Sequence, residues 1–179
     1  KIDAGRLTLY FREVNLHYVV EDVMGMFQPE IERSGLTAET RLEANPSVVE
    51  GDESLLYRAF GNVVSNACKY TPSGGTVRVE TRNMTAEESP LGRPSVCVSV
   101  SNTGPGIAPE ELAGILDKFT RSQVHRGIEG SGIGSYVLRY VVEAHGGRVD
   151  VRSVPNELTT FSLILPVEQI RSSEEAPPT

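Results

Sequence analysis

Two carboxamides and an ammonium fall at positions 62, 66 and 69, inside the stretch Gly61-Asn62-Val63-Val64-Ser65-Asn66-Ala67-Cys68-Lys69-Tyr70. Steps of four and then three residues place Asn62, Asn66 and Lys69 on one side of a helix, while Val63, Val64 and Ala67 turn toward a core. Amide oxygens can hold a hard cation and an ammonium can neutralise phosphate oxygens, so the stripe has the composition of a metal and phosphate site. A solvated outer face that happens to carry two asparagines explains this segment equally well.

Two glycine turns add to it. Gly130-Ser131-Gly132-Ile133-Gly134 opens a helix, where free backbone N–H groups and the positive dipole end suit a phosphate. The same glycines also serve as an ordinary packing turn. A dinucleotide-binding reading requires a strand directly before them; the polar run 117–129 carries no strand pattern, and no G-x-x-x-x-G-K-[ST] loop is present. Asn102-Thr103-Gly104-Pro105-Gly106 follows a strongly apolar strand. An Asn at a strand end can point into a pocket while glycines let the backbone approach a flat ring, and a plain Asn-led turn is the alternative.

The elements that must carry these residues follow from periodicity. From Asn15, an N-cap, Leu16, Val19, Val20, Val23, Met24 and Phe27 recur at helical spacing up to Ser34-Gly35. Residues 36–43 alternate as a strand, Val48-Val49 is a short apolar step, and Asp52 caps the helix that holds the Asn stripe. After the turn Pro72-Ser73-Gly74-Gly75, segments 76–80 and 96–100 alternate as strands joined by a long polar tip. A short helix at Pro109-Glu110-Glu111 precedes a polar segment, 117–129, read as a mobile loop. The glycine-led helix then presents Val137, Leu138, Val141 and Val142 on one face up to His145-Gly146-Gly147, and strands 148–153 and 160–167 close the pattern.

Composition sets the bounds. The 179 residues, 39% hydrophobic, suffice for one core and one domain. With 17 Lys+Arg against 24 Asp+Glu, a net charge of −7 and no dense basic run, nucleic acid is excluded as the main partner. Cys68 and Cys97 sit in apolar periodic segments and read as buried free thiols of a reducing compartment. No apolar run approaches a membrane span and no signal peptide is evident, so a soluble piece without membrane contact is expected; the start at Lys1, without Met, reads as an excision from something longer.

In this order, Asn62 to Thr71, Asn102-Thr103-Gly104-Pro105-Gly106, Ile115-Leu116-Asp117-Lys118-Phe119, Gly130-Ser131-Gly132-Ile133-Gly134 and His145-Gly146-Gly147 resemble the N, G1, F and G2 boxes and following glycines of the sensor histidine kinase ATP-binding domain. That family shares its nucleotide fold with gyrase, the heat-shock chaperone ATPases and mismatch-repair ATPases. The resemblance covers residues 12–167 and implies an α+β fold: a two-layer α/β sandwich (the Bergerat ATP-binding fold) with a mixed sheet of about five strands, about three main helices on one face and a mobile ATP lid. It divides the chain into the end of a dimerisation helix and linker (1–12), the ATP-binding catalytic domain (13–168) and a disordered tail or linker (169–179).

Carried over by position, the resemblance implies ATP and Mg²⁺ as cofactors. Asn66 coordinates the metal with help from Asn62, Lys69 meets phosphate, and Tyr70 lies beside the nucleotide. Asn102 stands where the family usually has an Asp accepting the adenine amino hydrogen; Gly104 and Gly106 let the ring approach next to Ile107, and Thr159 or Thr160 reaches adenine through water. Phe119 belongs to the F box and lies by the nucleotide, Arg121 and Arg126 fall in the ATP lid, and Gly130, Ser131, Gly132, Ile133 and Gly134 form the phosphate turn. Two further departures are Ser135, where Leu is usual, and Leu158, where a glycine usually precedes the Thr.

Relatives that hydrolyse ATP carry a Glu at the place of Asn62, which activates water. Asn cannot take a proton at neutral pH, so water is poorly activated and the γ-phosphate is held for another acceptor, and the resemblance implies Asn62 and Lys69 as the catalytic residues of that transfer. The implied partners are a histidine-bearing dimerisation domain of the same protein, homodimeric at full length, and a cognate response regulator, in the cytoplasm whether or not the parent is membrane-anchored. His17, His125 and His145 each read as structural rather than as the acceptor. A regulatory module that binds nucleotide without transfer, and a protein-serine kinase of the same fold, are the competing readings.

Overall fold

The computed structural model describes residues 8–116 and 133–170, with the backbone alone for 133–136. Among the described residues there are two sheets and three main helices. Strand β1 (Arg12–Asn15) leads into helix α1 (Leu16–Arg33), followed by β2 (Thr37–Leu42), β3 (Val48–Gly51) and helix α2 (Glu53–Tyr70). The long hairpin β4 (Thr76–Met84) and β5 (Ser95–Thr103) comes next, then the single turn α3 (Pro109–Leu112), helix α4 (Ile133–Ala144), β6 (Arg148–Val154) and β7 (Leu158–Pro166). The main sheet has the order β2-β4-β5-β7-β6, with β2 parallel to β4 and every other pair antiparallel. It is the mixed five-stranded sheet with helices on one face that the family resemblance implies.

Local chemistry explains the boundaries. The Asn15 side chain accepts from the His17 N–H at the start of α1, and Asp52 accepts from Leu55 N–H at the start of α2, each cap being worth about 1 kcal/mol. Gly35, at φ +67°, ends α1 in a conformation that other residues adopt at a cost. Helix α2 stops at Thr71, whose hydroxyl donates to the Ala67 carbonyl. In α2, Leu56, Phe60, Val63, Val64 and Ala67 are buried, as the spacing around the Asn stripe requires.

Strand alternation divides the sheet into two faces. Val96, Val98 and Val100 of β5 pair with Leu165, Leu163 and Phe161 of β7 and face the helices. The other face is mostly polar, with Glu39 paired to Arg78, Arg41 near Glu80 and the hydroxyls of Ser99 and Ser162 3.2 Å apart, and it carries a small apolar cluster of Met84, Cys97 and Ile164. Under the helices, the row Val79, Val100, Phe161 and Val151 is apolar, and the next row toward the end of the sheet is Val77, Asn102, Thr159 and Ser153. The core thus ends in polar side chains.

The small sheet of β1 and β3 is an addition that periodicity did not show. Arg12 already belongs to it, opposite Gly51, and Arg12 also forms an ion pair with Glu53. This ribbon rests on His145. The imidazole is buried, its Nδ1–H donates to the Val141 carbonyl at 2.7 Å and its Nε2 accepts from the Asp52 N–H at 3.0 Å, while Phe11 meets the ring edge-on. Both bonds require the neutral ring, and burial lowers its pKa accordingly. Cys68 and Cys97 are buried and free, and burial pushes the Cys68 thiol up to about 11. Among the described residues no helix is long and apolar enough to cross a membrane. The expected mobile lid and the residues beyond 170 lie outside the described residues.

Candidate functional site

The polar end of the core is where the glycine turn after β5 folds back. Asn102 is 7% exposed and points to the helix side, like Val100 before it. Its Nδ2 donates to the Thr103 carbonyl at 3.3 Å, and Oδ1 makes no hydrogen bond among the described residues, so the amide keeps a spare acceptor. Thr159 stands beside it in register on β7 and is also buried. The Thr159 hydroxyl lies 3.0 Å from Ser153 Oγ on β6, and Ser153 Oγ accepts the Ile107 N–H at 2.8 Å. Ile107 itself is buried.

Both glycines of the turn are demanded by close packing. Gly104 has φ +154°, and a Cβ there would come within 2.9 Å of the Tyr70 carbonyl oxygen. Gly106 has φ +78°, and its Cβ would meet Ser153 Oγ at 2.7 Å and Pro155 Cα at 3.1 Å. The turn is clamped from the far side by Gly104 N–H to the Glu157 carbonyl and by Asn156 N–H to the Pro105 carbonyl. It therefore bridges the C-terminal end of α2 and the β6–β7 connection.

Helix α2 brings its C-terminal residue, Tyr70, against the same turn, with the stripe running back from it along one flank. Asn62, Asn66 and Tyr70 are half-buried and Lys69 is exposed in the last turn. On the opposite flank Tyr57 donates to Asp22 of α1, so the stripe lies on the side away from α1. Helix α4 packs against α2 as well. No group of three His, Cys, Asp or Glu side chains gathers among the described residues. The oxygens on the stripe are neutral amides, which suit a cation that arrives with anionic oxygens of its own.

Each residue singled out in the sequence can now be placed. Asn62, Asn66, Lys69 and Tyr70 share α2, with Tyr70 touching the glycine turn; Asn102, Gly104, Gly106, Ile107 and Thr159 form that turn and its floor. Thr160 is on the other face of the sheet, with its hydroxyl 3.0 Å from Ser101 Oγ, so of the two threonines only Thr159 faces the turn. Ile133 and Gly134 begin α4. Phe119, Arg121, Arg126, Gly130, Ser131 and Gly132 lie outside the described residues, as do the side chains of Ile133 and Ser135. Leu158, at the position where a glycine is usual, is 40% exposed at the start of β7, paired with Val154. Ser153 joins these residues without a motif to announce it. Its only sequence signal is a serine in an alternating strand, and the pairing that makes it a neighbour of Thr159 and Ile107 is tertiary.

The family model for histidine kinase-, DNA gyrase B- and HSP90-like ATPases matches residues 51–169. The sensor histidine kinase CusS of Escherichia coli O6:H1 is 38% identical over 167 residues, which cover 92% of this chain and 32% of that protein. The chain spans between 20% and 42% of the length of the curated relatives it matches. Among solved structures, the mycobacterial sensor histidine kinase MprB has a TM-score of 0.71 at 28% identity, over 90% of this chain and 100% of that one. Histidine kinase ThkA, solved in complex with the response regulator protein TrrA, has a TM-score of 0.74 at 23% identity, over 92% of this chain and 44% of that one, a likeness of fold. Sequence and fold converge, and the chain belongs to the histidine kinase-, DNA gyrase B- and HSP90-like ATPases, a family of ATP-binding domains.

Proposed function

We propose that this chain is the catalytic domain of a two-component sensor histidine kinase, which binds Mg²⁺-ATP and passes the γ-phosphoryl group to a histidine on a separate dimerisation domain. The observation that carries this reading is the chemistry of the α2 flank: Asn62, Asn66 and Lys69 offer two amide oxygens and an ammonium, with no carboxylate among them. A flank that holds phosphate but cannot deprotonate water favours transfer over hydrolysis.

Asn66 and Asn62 are the residues that would hold Mg²⁺, and Lys69 would meet a phosphate oxygen. When bound, Mg²⁺ neutralises charge on the phosphoryl group in transfer. Asn102 Oδ1 accepts the amino hydrogen of adenine, Gly104 and Gly106 keep the turn flat against the ring, and Thr159 completes the base end. Phe119, Arg121, Arg126 and the Gly130 to Gly134 turn enclose the phosphates in this reading. In the transfer the bond from the γ-phosphorus to the bridging oxygen breaks, a bond to the acceptor imidazole nitrogen forms, and ADP leaves. Beyond the dimerisation domain, the partner is a response regulator, consistent with the ThkA complex; the setting is cytoplasmic.

The test is γ-labelled Mg²⁺-ATP given to the chain with and without the dimerisation domain of its parent protein. Acid-labile, base-stable label on the added domain, and none on the chain alone, supports the reading. Acid-stable label indicates a serine kinase, and bound ATP with no label a regulatory module.

A further inference from the structure

Strand β6 is one rim of the main sheet. It pairs with β7 along its whole length, from Arg148 opposite Ile164 to Val154 opposite Leu158, and no strand lies beyond it among the described residues. Apart from the turn bond from the Glu157 N–H to the Val154 carbonyl, backbone-to-backbone bonds tie residues 148–154 only to β7 among the described residues. Alternate residues of an antiparallel rim turn their N–H and C=O groups outward, so β6 presents a row of unpaired donors and acceptors. Proteins guard such rims with charged side chains, lysine above all. On β6 the charges alternate in sign instead: Arg148, Asp150 and Arg152 share one face of the strand. Arg148 pairs with Asp150 at 2.9 Å, while Arg152 is exposed and has no ion-pair partner among the described residues. At the opposite rim, Glu39 and Arg41 of β2 are already engaged by Arg78 and Glu80.

A second copy of the same strand complements this pattern. Two β6 strands related by a two-fold axis normal to the sheet keep their faces, so every antiparallel register is centred on one residue that meets its own copy. Centred on Asp150, the pairing sets Asp150 against its copy and Arg148 against Arg152; centred on Arg152, it sets that arginine against its copy. Centred on Val151, all seven residues of the strand pair. Asp150 then faces Arg152 of the other copy on both sides of the axis, Val151 meets its copy on the helix side, and the stem of Arg148 covers Val154, which is exposed in the single chain. We infer that β6 is a self-pairing edge: two copies of this chain join antiparallel through β6, in register at Val151, and merge their five-stranded sheets into one. A single strand pair falls short of the roughly 1,200 Å² that stable complexes bury, so the dimer is weak and forms where copies are concentrated or tethered. The inference goes beyond the kinase reading and stands without it.

The experiment is sedimentation equilibrium of the intact chain up to about 1 mM, the effective concentration that two tethered domains reach. Wild type should show a reversible dimer. Asp150→Arg and Arg152→Asp each set like charges opposite one another twice and should weaken it about tenfold or more. Mixing the two variants in equal amounts brings two arginines against two aspartates and should restore association, as a heterodimer. Under mild oxidation Val151→Cys should give a disulfide-linked dimer, because its thiol lies on the axis, and Val149→Cys, on the same face but displaced from the axis, should not; the native Cys68 and Cys97 are buried. If a charge variant does not fold, the cysteine comparison carries the test. A chain that stays monomeric up to that concentration, a dimer that survives both charge variants, a mixture of them that does not associate, or linkage in Val149→Cys but not in Val151→Cys overturns the inference.

Discussion

The two ends of the proposed nucleotide site are built on different kinds of scaffold. At the base end, Asn102, Thr159 and Ser153 stand on three hydrogen-bonded strands, and their side-chain directions are set by register and by bonds to one another and to the neighbouring backbone. At the phosphate end, Asn62, Asn66 and Lys69 share one flank of a single helix, half-buried or exposed. A strand row orients its groups before any ligand arrives, which favours discrimination between bases; on the helix flank the long, exposed Lys69 can move to meet a charged ligand. Substitutions at the base end should therefore change which nucleotide binds, and those at the phosphate end how binding depends on the metal.

The largest effect is expected at the phosphate end. Asn66→Ala should abolish the Mg²⁺ dependence of ATP binding seen in the wild type, measured by calorimetry with and without the metal; a mutant that still responds fully to Mg²⁺ would break the division. At the base end, Asn102→Leu keeps the size but leaves the adenine amino group unpaired, at a cost of about 1–3 kcal/mol in ATP binding. Gly106→Ala forces a side chain into φ +78° and against Ser153 Oγ, and should lower both urea stability and ATP affinity, by about 1–3 kcal/mol in stability. Asn102→Asp moves the other way. It keeps the acceptor and adds a charge, and should hold or strengthen ATP binding by up to about 1.5 kcal/mol in the same calorimetric assay.

The smallest expected effect lies outside the site and separates fold from function. His145 is neutral in the folded chain, with a pKa below its ordinary value because of burial, while the unfolded chain takes up a proton near pH 6.5. The unfolded state therefore binds more protons below that pH, and stability contributed by the neutral ring is lost as pH falls from about 6.5 toward the folded pKa. Urea midpoints should drop between pH 7.5 and 5.5, and drop less in His145→Leu, whose overall stability is lower because the Asp52 N–H loses its acceptor. Equal drops in both would show that the ring is not the group that titrates.

The contrast between the two ends also separates what the sequence makes legible from what it hides. The Asn stripe is readable because helix period alone fixes which side Asn62, Asn66 and Lys69 share, and the caps Asn15 and Asp52 announce their helices. The turn Asn102 to Gly106 is readable as a turn, since positive φ at Gly104 and Gly106 restricts the residue type. What escapes is anything that depends on which strands are neighbours. The pairing of β1 with β3, the choice of Thr159 over Thr160, and the partnership of Ser153 with Thr159 and Ile107 each follow from register between segments distant in sequence. His145 reads correctly as structural, but its bond to the Asp52 N–H spans 93 residues and has no local signature.

The most direct test of the site as a whole is calorimetric titration of the intact chain with Mg²⁺-ATP and, separately, Mg²⁺-GTP. An acceptor at Asn102 Oδ1 facing an adenine amino group predicts a 1:1 ATP complex and GTP binding weaker by roughly tenfold or more, because the guanine oxygen at that place meets another acceptor. Comparable affinities for the two nucleotides would contradict the account, leaving Asn102 as a turn residue and placing the base elsewhere.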